Sequence, residues 1–382
     1  MTNMTDDIYY GMRDAYVEID RARLESNFLA IREAVGEGVK ICAVLKSQCY
    51  GLDCRTTAAI FDELGADMFA VAVLSEALEV RQAVEEKSVL ILGYLSAQYF
   101  PVAIQKGISL TMYRKDMIEA FSAEACRQGK KGRIHIKVNT GMNRLGFMPT
   151  EANADLAAWA AGLPGIEIEG VYTHFAAADE KDKGPTRMQA SRFIAFIDML
   201  KARGVPYGLA HAANSPSLCD LPEYDFDMVR PGLLFTGVYS SGDVSRDRIQ
   251  VKPALRLIGR LGSVAMIPAG EKIGYGFTYQ LEKDTLVGVL PVGYSDGFTR
   301  SFSHHFYVVV RGGRCPVIGR ICMDHCMIDL SAAPEAEIGD EIIVYGNGGD
   351  GAITVEEATA LRGTIPEEVL TNLSARLPRI FV

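Results

Sequence analysis

Between Val17 and Val238 the chain switches repeatedly between two hydrophobic periods, and this restricts its fold more than any other feature. Near-continuous apolar runs, "ICAVL", "MFAVAVL", "SVLILG", "ISLTMY", "RIHIKV", "IEIEGVYT", "YGLAHA" and "FDMVRPG", read as strands buried on both faces. Between them lie stretches with apolar residues three and four apart, among them "CRTTAAIFDELGA", "SEALEVRQAVEE", "RKDMIEAFSAEACRQGK", "PTEANADLAAWAAGL" and "RMQASRFIAFIDMLKARG". These predict amphipathic helices. Eight such units, preceded by a lone strand "AYVEID" and the helix "RARLESNFLAIREAVG", predict an α/β chain built on a (β/α)8 TIM-type barrel. An open doubly wound sheet is the competing architecture. It would carry a glycine fingerprint after its first strand, where this chain has "LKSQCYG".

The texture changes near "SSGDVSRDRIQVK". Beyond it, "ALRLIGRLGSVAMI", "TLVGVLPVGYSDG", "HFYVVVRGG", "CPVIGRICMDHCMIDL" and "DEIIVYG" are strand-like and punctuated by glycine and proline. The expected organisation is a barrel over 1–245, its lone strand included, followed by a mostly β C-terminal domain over 246–382. A chain of 382 residues accommodates both.

Composition removes several function classes. A net charge of −9 without a Lys/Arg run argues against a nucleic-acid partner. No apolar run approaches the roughly 20 residues of a membrane helix. The polar, acidic start "MTNMTDDIYYGMRDAY" is unlike a signal peptide, so a soluble cytoplasmic protein with reduced thiols is expected. Cys315, Cys322 and Cys326, with Asp324 and His325, lack a CxxC pair and alternate like a strand, so no metal is expected.

In a barrel the site forms at the carboxyl ends of the strands. Lys46 ends the first strand, and Arg144 follows the fifth in "NTGMNRLGF". His174 and Phe175 end the sixth, Asn214 and Ser215 the seventh, and Arg230 with Gly232 the eighth. Phosphate sites in such barrels form after the seventh and eighth strands, where Ser215 and the Gly232–Leu233 turn stand. A lysine opposite a phosphate pocket suggests a pyridoxal 5′-phosphate imine, with an arginine or carboxylate at the pyridine nitrogen.

With "AVLK", "YG", "KVNTGMNRLGF", "THFA", "HAANS", "VRPG", "GYGFTY", "GYSDGF" and "GRICMD" in order, the chain resembles the alanine racemase family over nearly its whole length. The resemblance implies a homodimer with shared active sites that interconverts L- and D-amino acids using pyridoxal 5′-phosphate. It makes Lys46 the cofactor-binding lysine and the base on one face of the substrate. Tyr275 becomes the base on the other face, contributed by the partner subunit. Arg230 meets the pyridine nitrogen, His174 supports it, and Arg144 contacts the cofactor and the substrate carboxylate. Tyr50, Asn214, Ser215, Gly232 and Leu233 hold the cofactor's phosphate end. Met323 and Tyr294 face the substrate, and Lys137 matches a lysine carried by some members as a carbamate. The product would feed cell-wall precursors.

Two departures stand out. After Lys46 the family pattern gives way to Ser47, Gln48, Cys49, with Leu52 and Asp53 after Tyr50 and Gly51. Near the C-terminus "GTIPEEVL" places Glu367 where the family has a tyrosine that narrows the pocket. Glu367 thereby raises serine as an alternative to alanine. Other readings are a non-catalytic pyridoxal-phosphate carrier, which would lack the β-domain, and a decarboxylase, which would place a glutamate at the position of Arg230.

Overall fold

A computed structural model describes residues 13–382; the polar stretch 1–12, on which the reading against a signal peptide rests, lies outside them. The chain forms two compact units. One comprises Glu25–Phe235 and Tyr239–Val251, and the other takes the described residues 13–24, Thr236–Val238 and Lys252–Val382. The boundary expected after residue 245 and the one before Lys252 fall in the same segment.

The structure differs from the sequence reading at the first strand. β1 (Ala15–Ile19) was expected beside the barrel, yet its hydrogen bonds run to the C-terminal strands. Alternate burial of its residues suits a strand covered on one face only.

The first unit holds β2 (Lys40–Val44), β3 (Met68–Val71), β4 (Ser88–Ile91), β5 (Ile108–Met112), β6 (Gly132–Lys137), β7 (Ile166–Tyr172), β8 (Leu209–His211) and β9 (Met228–Val229). All pair in parallel in the order β8-β7-β6-β5-β4-β3-β2-β9. Backbone bonds from Asp227 N–H to Ala210 O and from Arg230 N–H to Ala213 O, both 3.0 Å, carry the ring across the remaining gap. The result is a nearly closed eight-stranded barrel. Its axis is filled by Cys42, Val44, Met68, Ala70, Leu90 and Met228. Helices follow the strands where the apolar spacing predicts them, for example Cys54–Glu63, Leu74–Ala83 and Gly184–Ala202.

The second unit is β-rich: β10 (Leu255–Arg260), β11 (Ser263–Ile267), β12 (Lys272–Ile273), β13 (Tyr279–Gln280), β14 (Thr285–Leu290), β15 (Tyr307–Val310), β16 (Gly313–Ile318), β17 (Cys326–Asp329), β18 (Glu341–Tyr345) and β19 (Arg379–Phe381). Nine strands share one sheet in the order β11-β14-β17-β16-β15-β18-β10-β1-β19. Among the described residues, no helix is long and apolar enough to cross a membrane.

Candidate active site

Lys46 stands two residues beyond β2 and opens an unusual turn. Ser47, Gln48, Cys49 and Tyr50 all adopt left-handed helical conformations, with φ of 53°, 54°, 51° and 54°. For L-residues this costs about 1–2 kcal/mol each, and they visit the region singly rather than in runs. The turn folds the Tyr50 ring back to 5.9 Å from the Lys46 ammonium. Tyr50 in turn meets Gly232, which leaves room for it by having no side chain. Beside them the Ser215 hydroxyl accepts from the N–H groups of Gly232 (3.0 Å) and Leu234 (3.4 Å). The cap of the helix Ser215–Asp220 is Asn214 rather than Ser215, since the Asn214 side chain accepts from Ser217 N–H.

Arg230 follows β9 and is buried. Its Nη1 donates to Nδ1 of His211 at 3.0 Å. Its Nη2 donates to the carbonyls of Thr173 and Ala212, both at 2.9 Å, and lies 3.3 Å from Nδ1 of His174. None of these acceptors is a carboxylate. Burial brings the guanidinium down to about 10, so it stays charged at neutral pH.

The polar contacts continue down the barrel axis. Because Nδ1 of His211 accepts from Arg230, its Nε2 carries the proton and donates to Nδ1 of His135 at 2.8 Å. Nε2 of His135 then donates to Glu169, 3.2 Å away. Glu169 also accepts from the hydroxyls of Ser88 and Ser109. Burial raises the Glu169 carboxyl, but the hydrogen bonds from His135, Ser109 and Ser88 outweigh it and hold it well below its ordinary range. Space for this line comes from Gly170, where a Cβ would sit 2.4 Å from His135 Nδ1. A cation and a carboxylate are thus joined through two imidazoles inside the barrel.

Lys137, at the end of β6, lies 4.2 Å over the Tyr172 ring, whose other neighbours include the stacked His211 and the Arg230 guanidinium. Burial, then Arg230 and Arg144, push its pKa well below the lysine range. None of these neighbours is a carboxylate. His174 behaves similarly: burial, then Lys137, Arg230, Arg144 and Lys46, drive its pKa far down, leaving the ring neutral. His174 therefore adds no positive charge of its own beside Arg230. Arg144 itself is exposed on the loop after β6.

The remaining candidates belong to the second unit. Tyr275 sits on a single helical turn between Gly274 (φ 70°) and Gly276 (φ 73°) and is 70% exposed. It borders a largely apolar depression of 690 Å³, lined also by Ala265, Ile273, Phe277, Val287 and Met327. Tyr294 and Met323, both exposed, lie on loops stitched together by Tyr294 N–H to Cys322 O (3.1 Å) and Ser295 N–H to Met323 O (3.0 Å). Glu367 is in the first turn of the helix Pro366–Thr371.

Sequence reasoning therefore found the rim but missed the axis. His135 and Glu169 lie inside "RIHIKV" and "IEIEGVYT", and their signal was a polar residue within a run read as buried.

The residues suit pyridoxal 5′-phosphate. Lys46 supplies an amine, and the side-chain-free backbone at Gly232 beside Tyr50 and Ser215 suits a phosphate. Among the described residues, Arg230 uses only Nη1 and Nη2 on its partners, which leaves its Nε–H as a donor.

Comparison with known proteins agrees. The family described as alanine racemase, N-terminal domain, matches residues 19–240, and that described as alanine racemase, C-terminal domain, matches 254–381. The alanine racemases of Desulforamulus reducens and Methanococcus maripaludis are each 38% identical, over 96% of this chain and 98% of theirs. The solved alanine racemase of Clostridium difficile 630 superposes with a TM-score of 0.93 at 33% identity, covering 97% of this chain and 96% of that one. The one from E. faecalis gives 0.90 at 34%, covering 97% and 99%.

Proposed function

This chain belongs to the alanine racemase family, interconverting L- and D-alanine with pyridoxal 5′-phosphate, and we propose from that premise how its residues divide the work. Pyridoxal 5′-phosphate, when bound, withdraws electrons from the α-carbon of an amino acid joined to it and so acidifies the α C–H. Lys46 holds the cofactor and moves the proton at its Nζ on one face. Tyr275 of the partner subunit moves a proton at its hydroxyl on the other. One base would return the proton where it was taken, so inversion calls for two on opposite faces.

Tyr50, Asn214, Ser215, Gly232 and Leu233 hold the phosphate end, and Arg144 orients the cofactor and the substrate carboxylate. Met323 and Tyr294 confine the substrate. Arg230 would meet the pyridine nitrogen of the bound cofactor. A permanent cation there opposes protonation of the ring and keeps the electron sink weak, which speaks against decarboxylation. The same charge, unaided by His174, favours the phenolate of the tyrosine, whose ordinary pKa of about 10 otherwise makes it a poor base. Burial and the two arginines favour the uncharged form of the Lys137 amine, the form suited to carry carbon dioxide as a carbamate.

What supports the reading best is the convergence of Lys46, Tyr50 and Gly232 on one corner of the barrel rim. A homodimer follows from the reading, since an exposed Tyr275 beside an apolar depression needs a cover before it can act as a base. A cytoplasmic enzyme supplying D-alanine to wall precursors fits the same premise. Incubation with L-alanine in deuterium oxide tests it: D-alanine carrying α-deuterium is expected. Carbon dioxide release, or exchange without inversion, would overturn the assignment.

A further inference from the structure

The left-handed turn after Lys46 contains no glycine before position 51, so its conformation is imposed from outside. Its own backbone contributes Cys49 N–H to Leu45 O at 2.8 Å and Asp53 N–H to Gln48 O at 3.0 Å. A further grip comes from the helix Leu74–Ala83, through two carboxylates three residues apart and therefore on one face. Glu76 Oε1 accepts the Ser47 N–H at 2.6 Å, while Oε2 accepts the N–H groups of Ala72 (2.9 Å) and Val73 (3.3 Å) at the helix start. Glu79 Oε2 accepts from Gln48 Nε2 at 2.7 Å and from the Cys54 thiol at 2.9 Å. Gln48 Oε1 completes the loop by accepting Cys54 N–H at 3.2 Å.

Glu76 thus binds the first residue of the turn, and Glu79 binds the second together with the residue that opens the next helix. The start of the strained segment, and the helix opening at Cys54 beyond it, are tied to one rigid element. Charge-assisted hydrogen bonds such as these are the stronger kind.

We propose that Glu76 and Glu79 are positioning residues for the reaction: they hold Ser47 and Gln48 in the left-handed turn and so hold Lys46 and Tyr50 in register for the cofactor. The proposal rests on the reading of Lys46 and Tyr50 given above. Neither glutamate touches the reacting atoms. Each acts through the turn, which without it relaxes toward right-handed or extended backbone and swings the lysine away from the tyrosine.

The test uses the full chain, stripped of pyridoxal phosphate and titrated with it, as wild type, Glu76→Gln, Glu76→Ala, Glu79→Gln and Lys46→Ala. Affinity for the cofactor, the visible band of the lysine-bound cofactor, kcat per loaded site and thermal midpoint are read together. Glu76→Ala is expected to bind pyridoxal phosphate roughly tenfold more weakly, the equivalent of one charge-assisted hydrogen bond. Its band should shift, and kcat should fall with KM little changed. Glu76→Gln, whose single amide oxygen serves only one of the two sets of N–H groups, should recover part of the loss, and Glu79→Gln should resemble it. If the glutamate variants lose only thermal stability, with wild-type affinity, band and kcat per loaded site, the clamp is structural and the proposal fails. If Lys46→Ala keeps the lysine-bound band, the assignment of Lys46 is what fails, whatever the glutamates do.

Discussion

His211 turns Nδ1 toward Arg230 at 3.0 Å, and a donor already occupies that space, so the ring has no place for a second proton. Burial, then Arg230, His135 and Lys137, set its pKa well below 6.5. In the unfolded chain the same histidine takes up a proton below about 6.5. Its contribution to stability is therefore complete above that value and is lost as pH falls below it, by about 1.4 kcal/mol per pH unit for one proton. Urea midpoints between pH 7.5 and 5.5 should fall accordingly, and His211→Asn should shallow the dependence by one proton. An equal slope in both proteins would contradict the neutral ring.

Gly232 admits no side chain. A Cβ there would lie 2.4 Å from the Tyr50 hydroxyl and 2.7–2.8 Å from its ring carbons. Gly232→Ala should therefore displace the phenol and weaken pyridoxal phosphate binding about tenfold or more, with a smaller effect on kcat once loaded. Equilibrium titration of the stripped protein measures this, and wild-type affinity would remove Gly232 and Tyr50 from the phosphate site.

Tyr275→Phe deletes one hydroxyl from an exposed turn, so folding and cofactor content should be unchanged. Racemisation should fall by roughly 10²–10⁴, the usual worth of a positioned acid or base. Following both L-to-D and D-to-L directions is the measurement. Full activity in both would show that this tyrosine is not the second base.

At Glu367 the expectation concerns selectivity. On the proposed reading, a carboxylate in place of an aromatic ring would leave a wider pocket and an acceptor for a substrate hydroxyl. We expect Glu367→Tyr to lower kcat/KM for serine relative to alanine. An unchanged ratio of the two in wild type and variant would show that position 367 does not read the side chain.

The barrel was legible because its strands are apolar runs that end in polar residues, and the rim residues are those endings. Lys46, His174, Asn214 and Arg230 all stand where a run stops. The axis was hidden by the same pattern: His135 and Glu169 interrupt runs without ending them, and the lack of a side chain at Gly170 leaves room for the His135 ring. The left-handed turn was hidden because Ser-Gln-Cys-Tyr carries none of the glycine or asparagine that announces positive φ. The neutrality of His174 follows from its burial and then from the cations packed round it, neither of which a linear motif counts. The partner of β1 was hidden too, since five alternating residues state which face is buried but not which strand lies alongside.

β1 has its neighbours far along the chain, in β10 and β19. Val17 N–H donates to Pro378 O, and Ile19 pairs with Phe381 on one side and Leu255 on the other. During synthesis the barrel strands, each beside one made just before it apart from the closing pair, have their partners early. The opening strand must wait, unpaired, until β10 is made, and its second edge stays open until β19 follows. Premature truncation would therefore strand the beginning of the polypeptide as well as its end, presenting an open sheet edge to whatever other chain comes near.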